Sequence, residues 1–163
     1  ALHRLAAEGL VIIAPRRGMF VADISITDLQ KIFEVRMLLE GFCARLAAAR
    51  ASEEQIAEME AVVAELEDVE EGDAAALISI DKRLHKLLYE AAHNEFLTDS
   101  LDPLHALSVR MWYLVLDRLP HVHDSIAEHI AVVNSLKAGD AEQAEALIKQ
   151  HIVNFQQQIK SVL

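Results

Sequence analysis

The residues of this sequence best suited to chemistry lie in residues 80–92. Asp81 and His85 are four residues apart, and leucines recur around them at helical spacing. The pattern therefore predicts a helix with both polar groups on one side, one turn apart. Leu84 and Leu88 flank that side, so the carboxylate and the imidazole are expected in or beside the core. Because burying such groups without partners is costly, the sequence predicts partners for them.

Two later histidines, His129 and His151, are candidates for those partners. They lie 22 residues apart across a predicted helix-turn-helix hairpin, which can bring them side by side. Metal sites in helical bundles are built from side chains on facing helices. One carboxylate and three imidazoles suit a divalent transition ion such as Zn, Ni or Mn. The alternative is that each of the four is a separate core or surface residue, since the chain has 8 histidines.

Composition places limits on the kind of protein. The chain has 163 residues, of which 53% are hydrophobic, enough for one core. No apolar run approaches the roughly 18 residues that span a bilayer, and no secretory leader is visible. The lone Cys43 is expected to be buried and inert. These features predict a soluble cytoplasmic protein without a membrane partner, and the net charge of −11 argues against nucleic-acid binding by the chain as a whole.

The charge is distributed unevenly. Three arginines against two acids give residues 1–24 a net charge of +1, whereas 12 basic and 24 acidic residues leave the remainder at −12. This difference predicts two domains, 1–24 and 25–163, with a boundary near residues 23–26. The acidic helical segments are interpreted as solvated outer faces.

The first domain has a short helical pattern over residues 1–8, and Gly9 is a natural stop. Two β-prone runs follow at 11–13 and 19–21, joined by a turn with a proline, a glycine, Arg16 and Arg17. A helix followed by a hairpin with a basic tip is typical of the C-terminal part of a winged helix-turn-helix. The alternative is a helix and a hairpin that simply pack on the rest of the chain.

The second domain is predicted to be all helix. Capping boxes are read at 27–30 and 52–55. Further helices are predicted at 80–92, 94–101, 104–116 and 125–136, with a break at Pro103, and a last helix capped by Asp140 to about Lys160. His121 and His123 precede the helix at 125 and are expected in an exposed loop. The fold class is thus mainly all-α: an antiparallel helical bundle after a partial winged helix with a short β-hairpin.

Two family resemblances follow from these segments. Residues 1–11 and 15–21 resemble the end of the DNA-reading helix and the wing of GntR-family transcription regulators. This resemblance implies that the chain begins part-way through that helix and that Arg4, Arg16 and Arg17 belong to a DNA-binding surface. Residues 27–163 resemble the FCD type of effector domain in the FadR branch of that family. The matching motifs are VRMLLE at 35–40, Asp81-x-x-x-His85, Ala92-His93-Asn94, Leu101-Asp102-Pro103-Leu104, Glu128-His129, Gly139-Asp140 and His151.

FCD domains with this pattern bind one divalent ion through the aspartate and three histidines. The resemblance therefore implies a metal site formed by Asp81, His85, His129 and His151. His93 departs from the pattern, because the family usually has a small residue before the asparagine.

Charge accounting predicts the effector. A dication bound by one carboxylate and three neutral imidazoles keeps a net charge of about +1. If the ion is six-coordinate, two coordination positions also remain open. A small carboxylate such as a hydroxy or keto acid suits that site. Arg36 and Arg110 are the candidate clamps, since guanidinium groups pair with carboxylates bidentately, and Asn154 is a candidate supporting residue. Alternatively Arg36 forms an ion pair with Glu40, four residues later, and Trp112 beside Arg110 is ordinary core.

Together these features predict a DNA-binding transcription regulator, such as a repressor, that binds operator DNA as a homodimer and responds to a carboxylate metabolite. The alternative is a metal-dependent hydrolase or another metalloenzyme. The regulator is favoured because no acidic residue is spaced to act as a general base. Glu128 is the one exception and is expected to point elsewhere on its helix. A basic wing also has no purpose in a hydrolase. If the four ligands are scattered, a purely structural helical domain remains.

Overall fold

The computed structural model describes residues 11–21, 26–70, 72–115, 118–119 and 122–162. Within these ranges the chain forms one two-stranded antiparallel sheet and six α-helices. The strands are β1 Val11–Ala14 and β2 Gly18–Val21. The helices are α1 Ile26–Arg50, α2 Glu53–Ala64, α3 Ala74–Ala91, α4 Glu95–Val115, α5 Val122–Lys137 and α6 Ala141–Val162. A 3₁₀ turn, Glu65–Asp68, follows α2.

The hairpin predicted near the start of the chain is confirmed. Its register places Val11 opposite Val21 and Ala14 opposite Gly18. In the turn, the Arg17 amide donates to the Ala14 carbonyl at 3.0 Å, and Arg16 has a φ of 65°. Both arginines are exposed at the tip. The predicted helix over residues 1–8, with Arg4, lies outside the described residues, as do residues 23–25 of the boundary predicted near 23–26.

The six helices form the bundle predicted from the sequence. The longest helix, α1, packs along α6 and also contacts α3 and α4, while α5 pairs with α6. A tight turn at Gly139, whose φ is +69°, joins α5 to α6. The side chains of α3 fill the centre, including Ile78, Leu84 and Leu88. The helix that carries Asp81 and His85 is therefore enclosed by the others.

Caps explain where several helices begin. Ser52 and Gln55 form the predicted capping box of α2, and the Gln143 amide donates to Asp140 at 3.0 Å at the start of α6. The box predicted at 27–30 is wrong, because α1 already begins at Ile26. The side chain of Gln30 donates instead to Glu34 at 3.2 Å.

The break predicted at Pro103 is also wrong, since α4 runs unbroken through it. Proline lacks the N–H that would bond to the carbonyl four residues earlier, a loss of about 3 kcal/mol in a helix interior. Here Pro103 and Asp99 are both exposed, so water can satisfy that carbonyl. The buried stripe formed by Leu97, Leu101 and His105 continues across the proline. Tertiary packing therefore outweighs the local preference.

The start of α5 differs from the prediction as well. The helix begins at Val122, three residues before the predicted start. Val122 is buried and shares a face with Ile126 and His129, which extends the apolar stripe toward the N-terminus. His123 is therefore an exposed residue of the first turn of α5, not of a loop. His121 lies outside the described residues.

Candidate metal centre

Three helices bring the four predicted ligands to one place. Asp81 and His85 project from α3, His129 from α5 and His151 from α6. One ligand atom from each lies within 4.8 Å of the others. All four residues are at most 4% exposed. The cluster is therefore a closed group of donors in the bundle core.

The spacing of these atoms suits a shared ion. His129 Nε2 is 3.3 Å from His85 Nε2 and 3.9 Å from Asp81 Oδ1. His85 Nε2 is 3.5 Å from the same carboxylate oxygen. Adjacent ligands on an ion with bonds of about 2.1 Å are roughly 3.0–3.4 Å apart. The ring centroids of His129 and His151 are 4.3 Å apart, so the third imidazole lies beside the same point.

The far nitrogen of each imidazole lies beside an oxygen atom. His85 Nδ1 is 2.9 Å from Glu40 Oε2, and His151 Nδ1 is 3.0 Å from Glu128 Oε2. His129 Nδ1 is 3.1 Å from the Ile126 carbonyl. These oxygens attract a proton to each Nδ1, so each Nε2 can offer its lone pair to a metal once any proton of its own is released. This tautomer is the one in which the Nε2 atoms can bind a metal.

Electrostatics favour a cation at the centre. His85 Nε2 and His129 Nε2 lie 3.3 Å apart and form a hydrogen bond, in which a metal ion could take the place of the shared proton. Burial lowers the pKa of His85, but the carboxylates of Glu40 and Asp81 outweigh burial and raise that pKa to about 9. Burial and two neighbouring imidazoles hold the pKa of His129 well below its usual range. The donors thus fit a divalent ion, with His129 as a neutral ligand and Asp81 as an anionic one.

A narrow cavity adjoins the cluster. It has room for about one water molecule. Its walls are formed by nine residues from α1, α3, α4 and α6: Arg36, Asp81, His85, His105, Ser108, Val109, Trp112, His151 and Phe155.

Comparisons with known proteins identify this architecture. The FCD domain model matches residues 31–154. The chain belongs to the FCD-domain family. The HTH-type transcriptional repressor RspR of Escherichia coli is 24% identical over 163 residues, covering 99% of this chain and 72% of RspR. The repressor GlaR of the same organism is 28% identical over 162 residues, covering 94% of this chain and 74% of GlaR.

Solved structures agree on the fold. E. coli McbR/YncC superposes with a TM-score of 0.89 at 18% identity, over 98% of this chain and 77% of that one. The metal-free FCD domain of TM0439 superposes with a TM-score of 0.63 at 22% identity, over 86% of this chain and 97% of that one. The predicted resemblance to GntR-family regulators with FCD domains is confirmed. This FCD protein is a transcription regulator and not an enzyme. In the described ranges no helix is both long and apolar enough to cross a membrane.

A fourth histidine, which the sequence analysis missed, lies beside the cluster of this FCD domain. His105 Nε2 of α4 lies 3.2 Å from Asp81 Oδ2, and its ring centroid is 4.3 Å from that of His85. Burial and the neighbouring His85 lower the pKa of His105 to about 4, so it is neutral near pH 7. His105 lies at helical spacing from Leu101 and Ser108, and this spacing was the sequence signal that His105 shares their buried face. Placing a helix break at Pro103 concealed that signal.

Glu128 was expected to point away from the ligands, and this expectation is wrong. Its Oε2 accepts from His151 Nδ1, and its Oε1 accepts from Asn154 Nδ2 at 2.6 Å. One turn of α6 separates His151 from Asn154, so the glutamate of α5 bridges both. Asn154 therefore lies behind His151, on the side away from the cluster.

The two candidate arginines occupy different places. Arg36 is buried beside the cluster and lines the cavity, and its Nε is 2.5 Å from Glu40 Oε1. Arg36 thus forms the ion pair with Glu40 and also lines the cavity. Arg110 lines an open groove outside the cavity, and its Nη1 is buried without a hydrogen-bond partner among the described residues. Trp112 packs against Phe155 with ring centroids 4.9 Å apart, as core residues do.

Glu128→Gln should lower metal affinity about 10–100-fold, the usual effect of losing a partner that orients a histidine ligand. The amide retains the shape but removes the charge that favours the Nδ1 proton of His151. Competition with a chromophoric chelator measures the affinity. Glu145→Gln is the matched control, because the side chains of Glu128 and Glu145 are 32% and 25% exposed and Glu145 pairs with Arg45 and Lys149 instead. Equal affinities in the two variants would contradict a supporting role for Glu128.

Proposed function

We propose that this regulator binds one divalent transition ion through Asp81, His85, His129 and His151. We further propose that the ion holds a small carboxylate effector, which changes the affinity of the intact protein for operator DNA. The main support is the convergence of four buried ligand atoms whose imidazoles are backed by Glu40, the Ile126 carbonyl and Glu128. Mixed nitrogen and oxygen donors suit Zn, Ni or Mn.

The cavity beside the cluster supports an anionic effector. With one carboxylate ligand, a dication keeps about one positive charge for an incoming anion. Trp112 lines the cavity, and its Nε1–H is buried without an acceptor among the described residues. Because a buried donor without an acceptor is unfavourable, a ligand oxygen is a suitable partner for it. Arg36 adds a second donor at the same wall, and Asn154 acts indirectly by holding Glu128 behind His151.

The hairpin supports contact with DNA. Arg16 and Arg17 are exposed at its tip, where they suit phosphate contacts that fix the position of the protein on the duplex. We include Arg4 in the same surface by its place in the sequence. Operator binding places the intact protein in the cytoplasm, and the relatives RspR and GlaR support repression as its mode of action.

A path between the two regions runs through α1. This helix carries Arg36 at the cavity and packs along α6, which carries His151. The residues between the hairpin and α1, 22–25, contain neither glycine nor proline. A carboxylate gripped by the ion and Arg36 would therefore shift α1 against the bundle and alter the placement of the wing. For such control, the effector must bind the two arrangements with different affinity.

The full-length regulator provides the test. Elemental analysis with native mass spectrometry of the purified protein should show one divalent ion per chain, together with any bound acid. Operator affinity, measured by fluorescence anisotropy with and without that acid, should differ by about 5–150-fold. Absence of a bound ion after reconstitution with Zn²⁺, Ni²⁺ and Mn²⁺ would refute the proposal.

The intact regulator should also be a homodimer. Winged-helix readers of two-fold operators need paired heads, one or more DNA turns apart. Light scattering at micromolar concentration should give twice the mass of one chain, in the presence and absence of DNA. A monomer under both conditions would count against this arrangement.

A further inference from the structure

The cavity at the metal cluster is too small for its proposed ligand. It has room for about one water molecule, whereas lactate and pyruvate each have six non-hydrogen atoms. A carboxylate can therefore reach the ion only if a wall of the cavity moves. Which wall moves decides where the rest of the ligand lies.

An open groove adjoins the cavity on the surface formed by α3 and α4. It offers about 520 Å³ of space, within the usual range for small-molecule sites. His105 and Val109 line both the groove and the cavity, so they form the partition between the two. The other lining residues of the groove are Lys82, Lys86, Asp102, Ala106, Arg110, Tyr113 and Leu114.

His105 is the movable part of this partition. Its imidazole is held by the contact of its Nε2 with Asp81 Oδ2 at 3.2 Å and by its packing on His85. The open groove lies on its other side, so rotation of the side chain can open the cavity without a backbone shift. An incoming carboxylate at the ion would compete with Asp81 for the same imidazole.

The side chains that line the groove suit an anion with an apolar body. Ala106, Val109 and Leu114 give it aliphatic walls. Three cations, Lys82, Lys86 and Arg110, line it against a single acid, Asp102, although the whole chain carries a net charge of −11. Such local positive charge raises the rate at which anions arrive.

Resting on the proposed function, we propose that the groove is the outer half of the effector site. Its occupant is a 2-hydroxy or 2-keto carboxylate with an aliphatic or aromatic body. The head group passes His105 to chelate the ion, and the apolar body stays in the groove against Val109 and Leu114. The cations of the rim guide the acid to the opening.

Chain length of the acid tests this assignment in the wild-type chain. The protein is loaded with Co²⁺, and its d–d absorption is titrated with lactate, 2-hydroxyhexanoate and 2-hydroxyoctanoate. Each methylene that enters the groove should tighten Kd up to about fourfold, so that 2-hydroxyhexanoate binds roughly 20–60-fold tighter than lactate.

Two substitutions assign that gain to the groove. Leu114→Gln should reduce the difference between lactate and 2-hydroxyhexanoate to tenfold or less, with the Kd of lactate unchanged. Leu38→Gln is the matched control, because Leu114 is 64% exposed and Leu38 is 66% exposed on α1, outside the groove. His105→Ala should retain one Co²⁺ per chain and increase the association rate of 2-hydroxyhexanoate at least fivefold in stopped-flow absorption.

The outcomes separate this inference from the function on which it rests. If none of the three acids alters the Co²⁺ spectrum, both the carboxylate function and the groove are overturned. If lactate binds but Kd is constant along the series, the groove is overturned and the carboxylate function stands. The same holds if Leu114→Gln keeps the full gain, or if His105→Ala leaves the association rate unchanged.

Discussion

His85→Ala and His151→Ala should each abolish stoichiometric metal binding and the thermal stabilisation that the metal provides. Each change removes one of four donors in a site closed to replacement ligands. In metal at about 1,000 times Kd, bound ion stabilises the native state by about 4 kcal/mol. For a domain of this size, that corresponds to a rise in Tm of roughly 8–16 °C. Calorimetry with and without Zn²⁺, combined with elemental analysis, measures both quantities.

His123→Ala is the matched control for these variants. His123 lies on α5 like His129 but is exposed, so its replacement should leave one ion per chain and the full rise in Tm. Comparing each variant with and without metal separates the lost ion from any change in the metal-free fold. Full occupancy in both His85→Ala and His151→Ala would show that the ligand assignment is wrong.

Spacing made the four residues of the cluster candidates, and the resemblance to FCD domains made them one predicted site. Asp81 and His85 are one turn apart on a helix with a clear apolar face, so their shared direction follows from local geometry. His129 and His151 lie on two helices joined by a tight turn at Gly139 and Asp140, whose glycine and cap are visible in the sequence. Spacing thus accounts for two pairs of candidates, whereas the packing of α3 on the hairpin, which joins the pairs, was implied by the family resemblance.

The residues behind the cluster depend on the packing of distant helices, and sequence spacing does not encode that packing. Glu40 lies 45 residues before His85 and meets it because α1 packs on α3. Glu128 directly precedes His129, so the two side chains leave α5 in different directions. The carboxylate of Glu128 nevertheless contacts a ligand, because it reaches His151 on α6. The sequence analysis considered the direction of Glu128 from the axis of α5 but not the position of α6 beside it, and so missed its contact with a ligand.

His105 was missed for another physical reason. Proline is a strong local signal for a helix break, and placing the break at Pro103 put His105 in the first turn of a new helix. In the structure the buried stripe of α4 carries the helix through that position. The local preference of proline for a helix break is overridden where the helix can bury a long apolar face. Such tertiary effects are difficult to predict from a sequence.

Arg36 and Glu40 form a buried pair whose two members are not equivalent. Glu40 is fully buried and has two cationic neighbours, Arg36 Nε at 2.5 Å and His85 Nδ1 at 2.9 Å. Burial alone would raise the pKa of Glu40, but Arg36 and His85 hold that pKa far below its usual range. Arg36, in contrast, forms a single ion pair among the described residues, and its partner there is Glu40.

This asymmetry predicts an unequal response to substitution. Glu40→Leu leaves the Arg36 guanidinium buried without its carboxylate and should lower the free energy of unfolding by about 3–5 kcal/mol. Arg36→Met should cost less, because in the metal-free protein Glu40 keeps the protonated His85 as a partner. The double variant Arg36→Met/Glu40→Leu removes both charges in similar volume and should recover most of the loss. Urea unfolding of the metal-free variants measures these differences.

Metal affinity should not recover with stability in the double variant. His85 Nδ1 has lost its acceptor there, so the Nε2 lone pair is no longer fixed toward the ion, and the affinity should stay about 10–100-fold below wild type. Chelator competition on the wild type, both single variants and the double variant gives the four values needed. Arg36→Met retains Glu40 behind His85 and should therefore bind metal more tightly than the double variant. Restored affinity in the double variant would mean that Glu40 serves only to neutralise Arg36, and purely additive stability losses would mean that the two side chains do not form a coupled pair.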